Sequence, residues 1–132
     1  MPLSHIGIPV SDIERSRAFY EAALAPLEMK VTMEVGPDRT ESGGTAIGFG
    51  AEGDNGLFWI GDNEKVGEGV HVAFEAGSRA QVDAFYEAAM GAGGRDNGPP
   101  GPRPHYHQDY YGAFVLDPDG HNVEAVCHDP QG

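Results

Sequence analysis

The chain consists of short segments in which apolar and polar residues alternate, separated by turns, and of two longer stretches with helical spacing. Apolar and polar residues alternate, or short apolar runs occur, in seven segments predicted as strands: residues 3–10, 29–35, 46–49, 57–60, 70–74, 110–117 and 121–127. Apolar residues recur at helical spacing up to Leu24 and over residues 79–92. Ser11 with Glu14, and Ser78 with Gln81, form capping-box patterns ahead of these helices.

The second half departs from the first after its helix. Residues 95–97 are too polar and too short to match residues 29–35 as a strand. Residues 98–104 contain four prolines, which predicts a rigid loop without regular hydrogen bonding. With that exception, each half is predicted as one strand, one helix and three further strands.

An internal repeat divides the chain. The segment AFYEAAL at residues 18–24 returns as AFYEAAM at residues 84–90, an offset of 66 in a chain of 132 residues. The same offset separates His5 from His71. A fixed period of this kind indicates a repeated structural unit, so we predict two modules, residues 1–66 and 67–132.

Charge and composition exclude some partners. The chain has 8 Lys and Arg against 21 Asp and Glu, a net charge of −13. This opposes binding to nucleic acid and to anionic membrane surfaces, and favours neutral or cationic ligands. No apolar run approaches the 18 residues of a membrane span. Cys127 is the only cysteine, which leaves no intrachain disulfide or cysteine-based zinc site and predicts a reducing, cytoplasmic location.

One carboxylate stands out in the last predicted strand. Glu124 interrupts the apolar run Val123 to Val126, and buried carboxylates need a partner or a metal ion. His5 and His71 occupy equivalent points of the repeat, so pseudo-symmetry brings them together. Two histidines and one carboxylate suffice to hold Fe(II), Mn(II) or a related divalent ion, with positions left open for a substrate.

These residues resemble the vicinal oxygen chelate superfamily, which includes glyoxalase I, extradiol dioxygenases, fosfomycin-resistance transferases and bleomycin-resistance proteins. The resemblance rests on His5 with the segment 11–20, on His71, and on the segment 114–124 with its Asp-Pro-Asp-Gly turn. It implies an α+β fold in which tandem βαβββ modules form a cupped mixed sheet with helices on the outer face. It also implies a homodimer, and a divalent metal (Fe, Mn, Zn or Ni) held by His5, His71 and Glu124.

The fourth ligand position of that family departs from its pattern. The repeat offset places it at Phe58, and alignment of the turn glycines places it at Ile60. Neither side chain binds metal. This disfavours glyoxalase I proper and favours the three-ligand branches.

Further candidates surround the predicted metal site. His107 and Tyr111 are predicted to assist proton transfer, since an imidazole can shuttle protons near neutral pH and a phenol can hydrogen-bond an oxyanion. His128 lies roughly 13 Å beyond Glu124 along a strand, too far to join this site, and His121 is predicted to face solvent. The residues predicted to bind substrate are Phe58, Trp59, Arg103, His105 and Tyr110.

Two functions follow. The first is a metal-dependent enzyme of glyoxalase or dioxygenase type, which binds a small molecule through adjacent oxygens. The second is an acidic, bleomycin-resistance-like protein that sequesters a ligand without catalysis. Retention of all three ligand types favours the first, and the net charge of −13 fits the second.

Overall fold

The computed structural model describes residues 4–40, 42–54 and 56–130; Leu3, in the predicted first strand, lies outside them. The helices are α1 (Ile13–Leu24) and α2 (Arg79–Gly91). The strands of the first half are β1 (Ile6–Pro9), β2 (Lys30–Val35), β3 (Ala46–Gly50) and β4 (Phe58–Gly61). Those of the second half are β5 (His71–Glu75), β6 (Arg95–Pro102), β7 (Tyr111–Leu116) and β8 (Asn122–Cys127).

The strands form two four-stranded sheets of the same topology. The first sheet has the order β1-β4-β3-β2 and the second β5-β8-β7-β6. In each sheet the first strand pairs parallel with the fourth, and the other pairs are antiparallel. The predicted α+β fold of tandem βαβββ modules is therefore confirmed. In this topology β1, which follows His5, and β5, which begins with His71, are edge strands of their sheets.

The helix caps differ in one respect from the prediction. Ser78 caps α2 as expected, accepting from the Gln81 amide at 3.1 Å. At α1 the cap is Asp12, whose Oδ1 accepts from the Arg15 amide. Ser11 donates instead to Asp119 in the other half at 2.5 Å. Ser11, which the capping-box pattern predicts as the cap of α1, is thus used in a contact between the two halves instead.

Residues 95–102 form the strand β6, so the exclusion of 95–97 from a strand was wrong, and so was the prediction of a loop at 98–104 as far as Pro102. β6 pairs antiparallel with β7, with register shifts on either side of Gly98. It is the outermost strand of its sheet. Proline is tolerated at such an edge because its missing N–H need not serve a second neighbour.

One hydrophobic core joins the two halves. It includes Phe19, Tyr20, Phe58, Phe85 and Val115, each fully buried. The Tyr20 hydroxyl donates to Oδ2 of buried Asp117 at 2.6 Å. Nearby, His121 is only 2% exposed, and its Nε2 lies 2.7 Å from the Pro9 carbonyl oxygen. The prediction that His121 faces solvent was therefore wrong. Among the described residues, no helix has the length and apolar character to cross a membrane.

Candidate functional site

Glu124 lies on the face of the second sheet opposite to the core. Its β8 neighbours Val123 and Ala125 pack into the core, so the alternation of the strand turns Glu124 the other way. The residue is nevertheless only 1% exposed. Its Oε1 lies 2.6 Å from Nε2 of His71, a side chain that is about half exposed (51%). The structure thus brings together two of the three predicted metal ligands.

Tyr110 contacts the other oxygen of the same carboxylate. Its hydroxyl donates to Oε2 of Glu124. Burial first, and then this hydrogen bond, raise the pKa of Tyr110 well above its ordinary value. The phenol therefore keeps its proton at neutral pH and remains a donor to Glu124.

A pocket of about 400 Å³ opens beside this group. His71, Arg103, Tyr106 and Phe114 contribute to its lining. The Arg103 guanidinium lies 5.5 Å from the centre of the Phe114 ring and donates to the carbonyl oxygens of Pro99 and Gly101. The guanidinium is thus fixed beside His71, where an anionic or oxygen-rich ligand would meet a positive charge.

Two exposed histidines flank Tyr110. Nε2 of His107 lies 2.8 Å from Nδ1 of His128, and the Tyr110 ring centre is 5.1 Å and 5.5 Å from the two imidazoles. The predicted site excludes His128 because of its distance from Glu124 along the strand. The contact of His128 with His107 could not be predicted, because periodicity does not reveal the path of the loop before β7. The ring centres of His105 and Tyr106 are 4.4 Å apart, with the two planes tilted by 54°, and Tyr106 in turn contacts Tyr110.

Tyr111 lies on the other face of β7. Its hydroxyl donates to Oδ1 of Asp83 in α2 at 2.7 Å, and Arg79 lies over its ring. The phenol that contacts Glu124 is therefore that of Tyr110, one residue earlier.

His5 stands apart from His71 and Glu124. It precedes the edge strand β1, is exposed, and contacts Ser4 through Nδ1 at 3.0 Å. Within the described part of the chain, no three His, Cys, Asp or Glu side chains are grouped closely enough to hold a metal ion. The imidazole and carboxylate of His71 and Glu124 suit a divalent metal by donor type, but the third donor is not beside them.

The strand registers correct the position equivalent to Glu124. Glu124 is paired with Ala73 and Phe114, and in the first sheet the corresponding Gly7 and Gly48 are both paired with Trp59. The equivalent residue is Trp59, not Phe58 or Ile60, because Gly48 and Trp59 are 11 residues apart in the sequence while Phe114 and Glu124 are 10 apart. Phe58 and Ile60 point into the core and are fully buried. The inference that this position lacks a metal ligand still holds, since indole is not one.

An apolar cleft of about 560 Å³ borders His71 on its other side. Ile6, Leu57 and Phe58 line it from the first half, and His71 and Phe74 from the second. Ile6, which follows His5 and begins β1, is 38% exposed, and Leu57, which precedes the partner strand β4, is 44% exposed. Unlike most apolar residues of the sheets, they remain in contact with water.

Comparisons with solved structures agree with this architecture. A glyoxalase/bleomycin resistance protein from Albidiferax ferrireducens is 28% identical, with a TM-score of 0.70 over 94% of this chain and 96% of its own. Glyoxalase I from Zea mays is 27% identical, with a TM-score of 0.70 over 96% of this chain. This chain spans only 46% of the maize enzyme. A glyoxalase/bleomycin resistance protein/dioxygenase family enzyme from Burkholderia phytofirmans, 22% identical with a TM-score of 0.66, shares the fold.

No curated protein matches the chain closely enough to count as a relative. The model of one family, described as the Glyoxalase/Bleomycin resistance protein/Dioxygenase superfamily, matches residues 3–125. Its match spans both βαβββ modules and includes His5, His71 and Glu124, so the chain belongs to this superfamily.

Proposed function

We propose that this protein is a divalent-metal enzyme whose site is completed between two copies of the chain. His71 and Glu124 of one copy and His5 of a second copy hold the metal. The single observation that carries the proposal is the buried Glu124 carboxylate, 2.6 Å from a half-exposed imidazole on an open sheet face. A buried carboxylate is costly unless it is hydrogen-bonded or bound to a cation, and this one keeps an imidazole partner that can also bind metal.

The position of His5 supports a second copy as the source of the third ligand. His5 lies at the edge strand of one sheet and His71 at the edge strand of the other. The exposed Ile6 and Leu57 beside it would leave water when another copy packs there, which favours association. Closed symmetry of a dimer would then form two equivalent sites.

The chemistry we propose is polarisation of a small substrate with adjacent oxygens. A bound divalent ion would supply Lewis acidity to those oxygens. Oε2 of Glu124 accepts a hydrogen bond from the Tyr110 hydroxyl, which holds this carboxylate oxygen in place and leaves Oε1 directed at His71. Arg103 beside the pocket would neutralise negative charge on the substrate. The apolar cleft on the far side of His71 would limit the access of water.

Mixing two inactive variants tests the shared site. His5→Ala and Glu124→Ala each remove one ligand, and each should abolish stoichiometric metal in protein purified without chelators and measured by elemental analysis. If sites lie between copies, unfolding and refolding the two variants together should restore about a quarter of the wild-type metal and activity, because half the dimers are mixed and each mixed dimer has one intact site. Light scattering should give twice the monomer mass of 14.0 kDa.

The opposite outcomes are equally clear. Recovery of no activity on mixing, together with a metal-loaded monomer, would place all three ligands in one chain. Absence of stoichiometric metal in the wild type after exposure to Fe(II), Mn(II), Zn(II) or Ni(II) would overturn the enzyme proposal. The reaction branch is then chosen by two assays: cleavage of catechols with Fe(II), and conversion of a hemithioacetal with Ni(II) or Zn(II).

A second candidate function is ligand sequestration without metal. It is supported by the absence of a three-ligand group within residues 4–40, 42–54 and 56–130, and by the net charge of −13, which favours a cationic ligand. Under this candidate the wild type would bind a cationic ligand equally well before and after chelator treatment, and Glu124→Ala would leave that affinity unchanged.

A further inference from the structure

We propose that His107 and His128 form a binding site for a divalent transition metal ion, separate from the pair His71 and Glu124. The ligands are Nε2 of His107 and Nδ1 of His128. The ion is one that binds well to imidazole nitrogen, namely Cu(II), Ni(II) or Zn(II). This inference does not depend on the function proposed above.

The separation of the two nitrogens is the first observation. Nε2 of His107 lies 2.8 Å from Nδ1 of His128. Metal–nitrogen distances of about 2.0–2.1 Å place the nitrogens of two neighbouring ligands roughly 2.8–3.4 Å apart, from octahedral to tetrahedral geometry. The two imidazoles are therefore already at the lower end of this range. Both side chains are exposed, so rotation of the rings is enough to direct the two nitrogens at one ion.

The protons of the two rings do not prevent this. A neutral imidazole carries a proton on one nitrogen and a lone pair on the other, so a hydrogen bond between His107 and His128 needs a proton on only one of the facing nitrogens. Because both rings are exposed, that proton can move to the other nitrogen of its own ring, where water accepts it. Both facing nitrogens are then lone-pair donors.

Tyr110 holds both imidazoles in position. The centre of its ring lies 5.1 Å from that of His107 and 5.5 Å from that of His128. The Tyr110 hydroxyl donates to Glu124, so the phenol ring is itself fixed. Ligands that are ordered before binding lose less conformational entropy when the ion arrives, which favours affinity.

The backbone that carries the two histidines is ordered as well. The loop before β7 is closed by hydrogen bonds from the Arg103 amide to the Tyr110 carbonyl oxygen at 2.7 Å, and from the Tyr110 amide to the His107 carbonyl oxygen at 3.3 Å. His128 directly follows Cys127, the buried last residue of β8. The pair thus joins a closed loop to the end of a central strand.

This site cannot share its ion with the first. His128 lies four residues beyond Glu124, roughly 13 Å when the chain is extended. Since the described residues contain no group of three His, Cys, Asp or Glu side chains that could hold a metal ion, the new site has two protein ligands and leaves its other positions to water. Such an ion should dissociate during gel filtration in metal-free buffer, so it does not count toward the stoichiometric metal of the purified protein.

The test uses the untagged variant His5→Ala/His71→Ala, which lacks two of the three ligands proposed for the enzyme site. After chelator treatment and gel filtration, calorimetric titration with Ni(II) should show one ion bound per chain. Titration with Mg(II) should show no binding, because Mg(II) prefers oxygen ligands.

Two further substitutions and one control locate the ion. Adding His107→Ala or His128→Ala to this variant should weaken Ni(II) binding about 100-fold or more, since even the loss of a group that only supports a metal ligand costs about 10- to 100-fold in affinity. His105→Ala is the matched control, because His105 is an exposed histidine of the same loop whose ring contacts Tyr106. It should leave the Ni(II) affinity unchanged.

Nuclear magnetic resonance gives a readout that needs no substitution at the pair. In ¹⁵N-labelled His5→Ala/His71→Ala, titration with Zn(II) should shift the imidazole resonances of Nε2 of His107 and Nδ1 of His128 saturably. The imidazole resonances of His105 should stay in place.

Three results would each overturn the site: no saturable binding of Ni(II) in His5→Ala/His71→Ala, an affinity that His107→Ala or His128→Ala leaves unchanged, or an equal loss of affinity with His105→Ala. None of them bears on the proposed enzyme, because His5 and His71 are absent from every protein used. Conversely, a wild type that retains no metal after gel filtration would overturn the enzyme proposal and leave this site intact.

Discussion

The Nε2 atom of His71 lies 2.6 Å from Oε1 of Glu124, although the residue directly opposite Glu124 in the paired strands is Ala73. The two side chains therefore lean toward each other along the sheet rather than straight across it. Tyr110 contacts the second carboxylate oxygen. The carboxylate is thus held at both oxygens, and its hydrogen-bond partners determine how it can serve as a ligand.

In the proposed metal enzyme, replacement of Tyr110 by phenylalanine should lower kcat/KM about 10- to 100-fold, the usual cost of removing a hydrogen bond to a ligand of the metal. Because burial and the Glu124 hydrogen bond raise the pKa of Tyr110 above its ordinary 10.0, the loss should be the same from about pH 6 to pH 9. Steady-state kinetics across this range measures it.

Tyr111→Phe is the control for that prediction. Tyr111 is the neighbouring phenol, and its hydroxyl donates to Asp83 on the other face of the strand. We expect its kcat/KM to stay within about twofold of wild type, since surface changes away from a site have small effects. An equal loss of kcat/KM in both variants would contradict the assignment of Tyr110 as the phenol that supports Glu124.

His107 and His128 should act as a unit on Tyr110. Their ring nitrogens lie 2.8 Å apart and both rings contact Tyr110, so removal of either frees the phenol ring on one side. We expect His107→Ala and His128→Ala to lower kcat by similar factors, and the double variant to lower it little further, because residues in one hydrogen-bonded pair are not additive. If the loss of kcat in the double variant equals the product of the two single losses, the two histidines act independently.

Tyr20→Phe should destabilise the fold by about 1.5–3 kcal/mol, the contribution of a hydrogen bond to a charged group. The lost bond is the 2.6 Å contact with buried Asp117, which joins the two halves. Urea denaturation at neutral pH measures the change. Tyr86→Phe is the control, since its bond to Asp96 is exposed at 3.1 Å; its midpoint should barely move.

The same tyrosine makes stability depend on alkaline pH. Burial and the nearby Asp117 carboxylate raise the pKa of Tyr20 well above its ordinary 10.0. The folded state therefore holds this proton when the unfolded chain has released it, so stability is intact below pH 10 and falls as pH rises further. The free energy of unfolding of wild type should decrease more steeply above pH 10 than that of Tyr20→Phe; equal slopes would assign the decrease to other groups.

Gly94→Ala should cost about 1–3 kcal/mol, the typical effect of forcing an extra methyl group into a packed core. A Cβ atom there would lie 2.5 Å from Cγ1 of Val115 and 2.8 Å from the Ala89 carbonyl oxygen. Gly91→Ala is the control, since nothing lies within 4 Å of its added atom. Thermal unfolding of the two variants should show a lower Tm for Gly94→Ala alone.

The sequence by itself determined the modular fold and the unusual status of Glu124. The repeated AFYEAA segment and the alternating strands are local patterns, and local patterns report on which residues face a core. A carboxylate between Val123 and Ala125 is conspicuous without any coordinates. The same patterns could not identify β6, because its prolines are acceptable only at a sheet edge, and edges are set by which strands pair.

Only the tertiary structure decided which side chains meet. The contacts of Tyr110 with Glu124 and of His107 with His128 depend on the path of the loop before β7, which no periodicity encodes. The equivalence of Trp59 and Glu124 depends on strand register, and one extra residue between Gly48 and Trp59, compared with Phe114 and Glu124, was enough to move the sequence alignment to Phe58. Register is fixed by long-range pairing, so a constant sequence offset predicts it only where the two modules have connections of equal length.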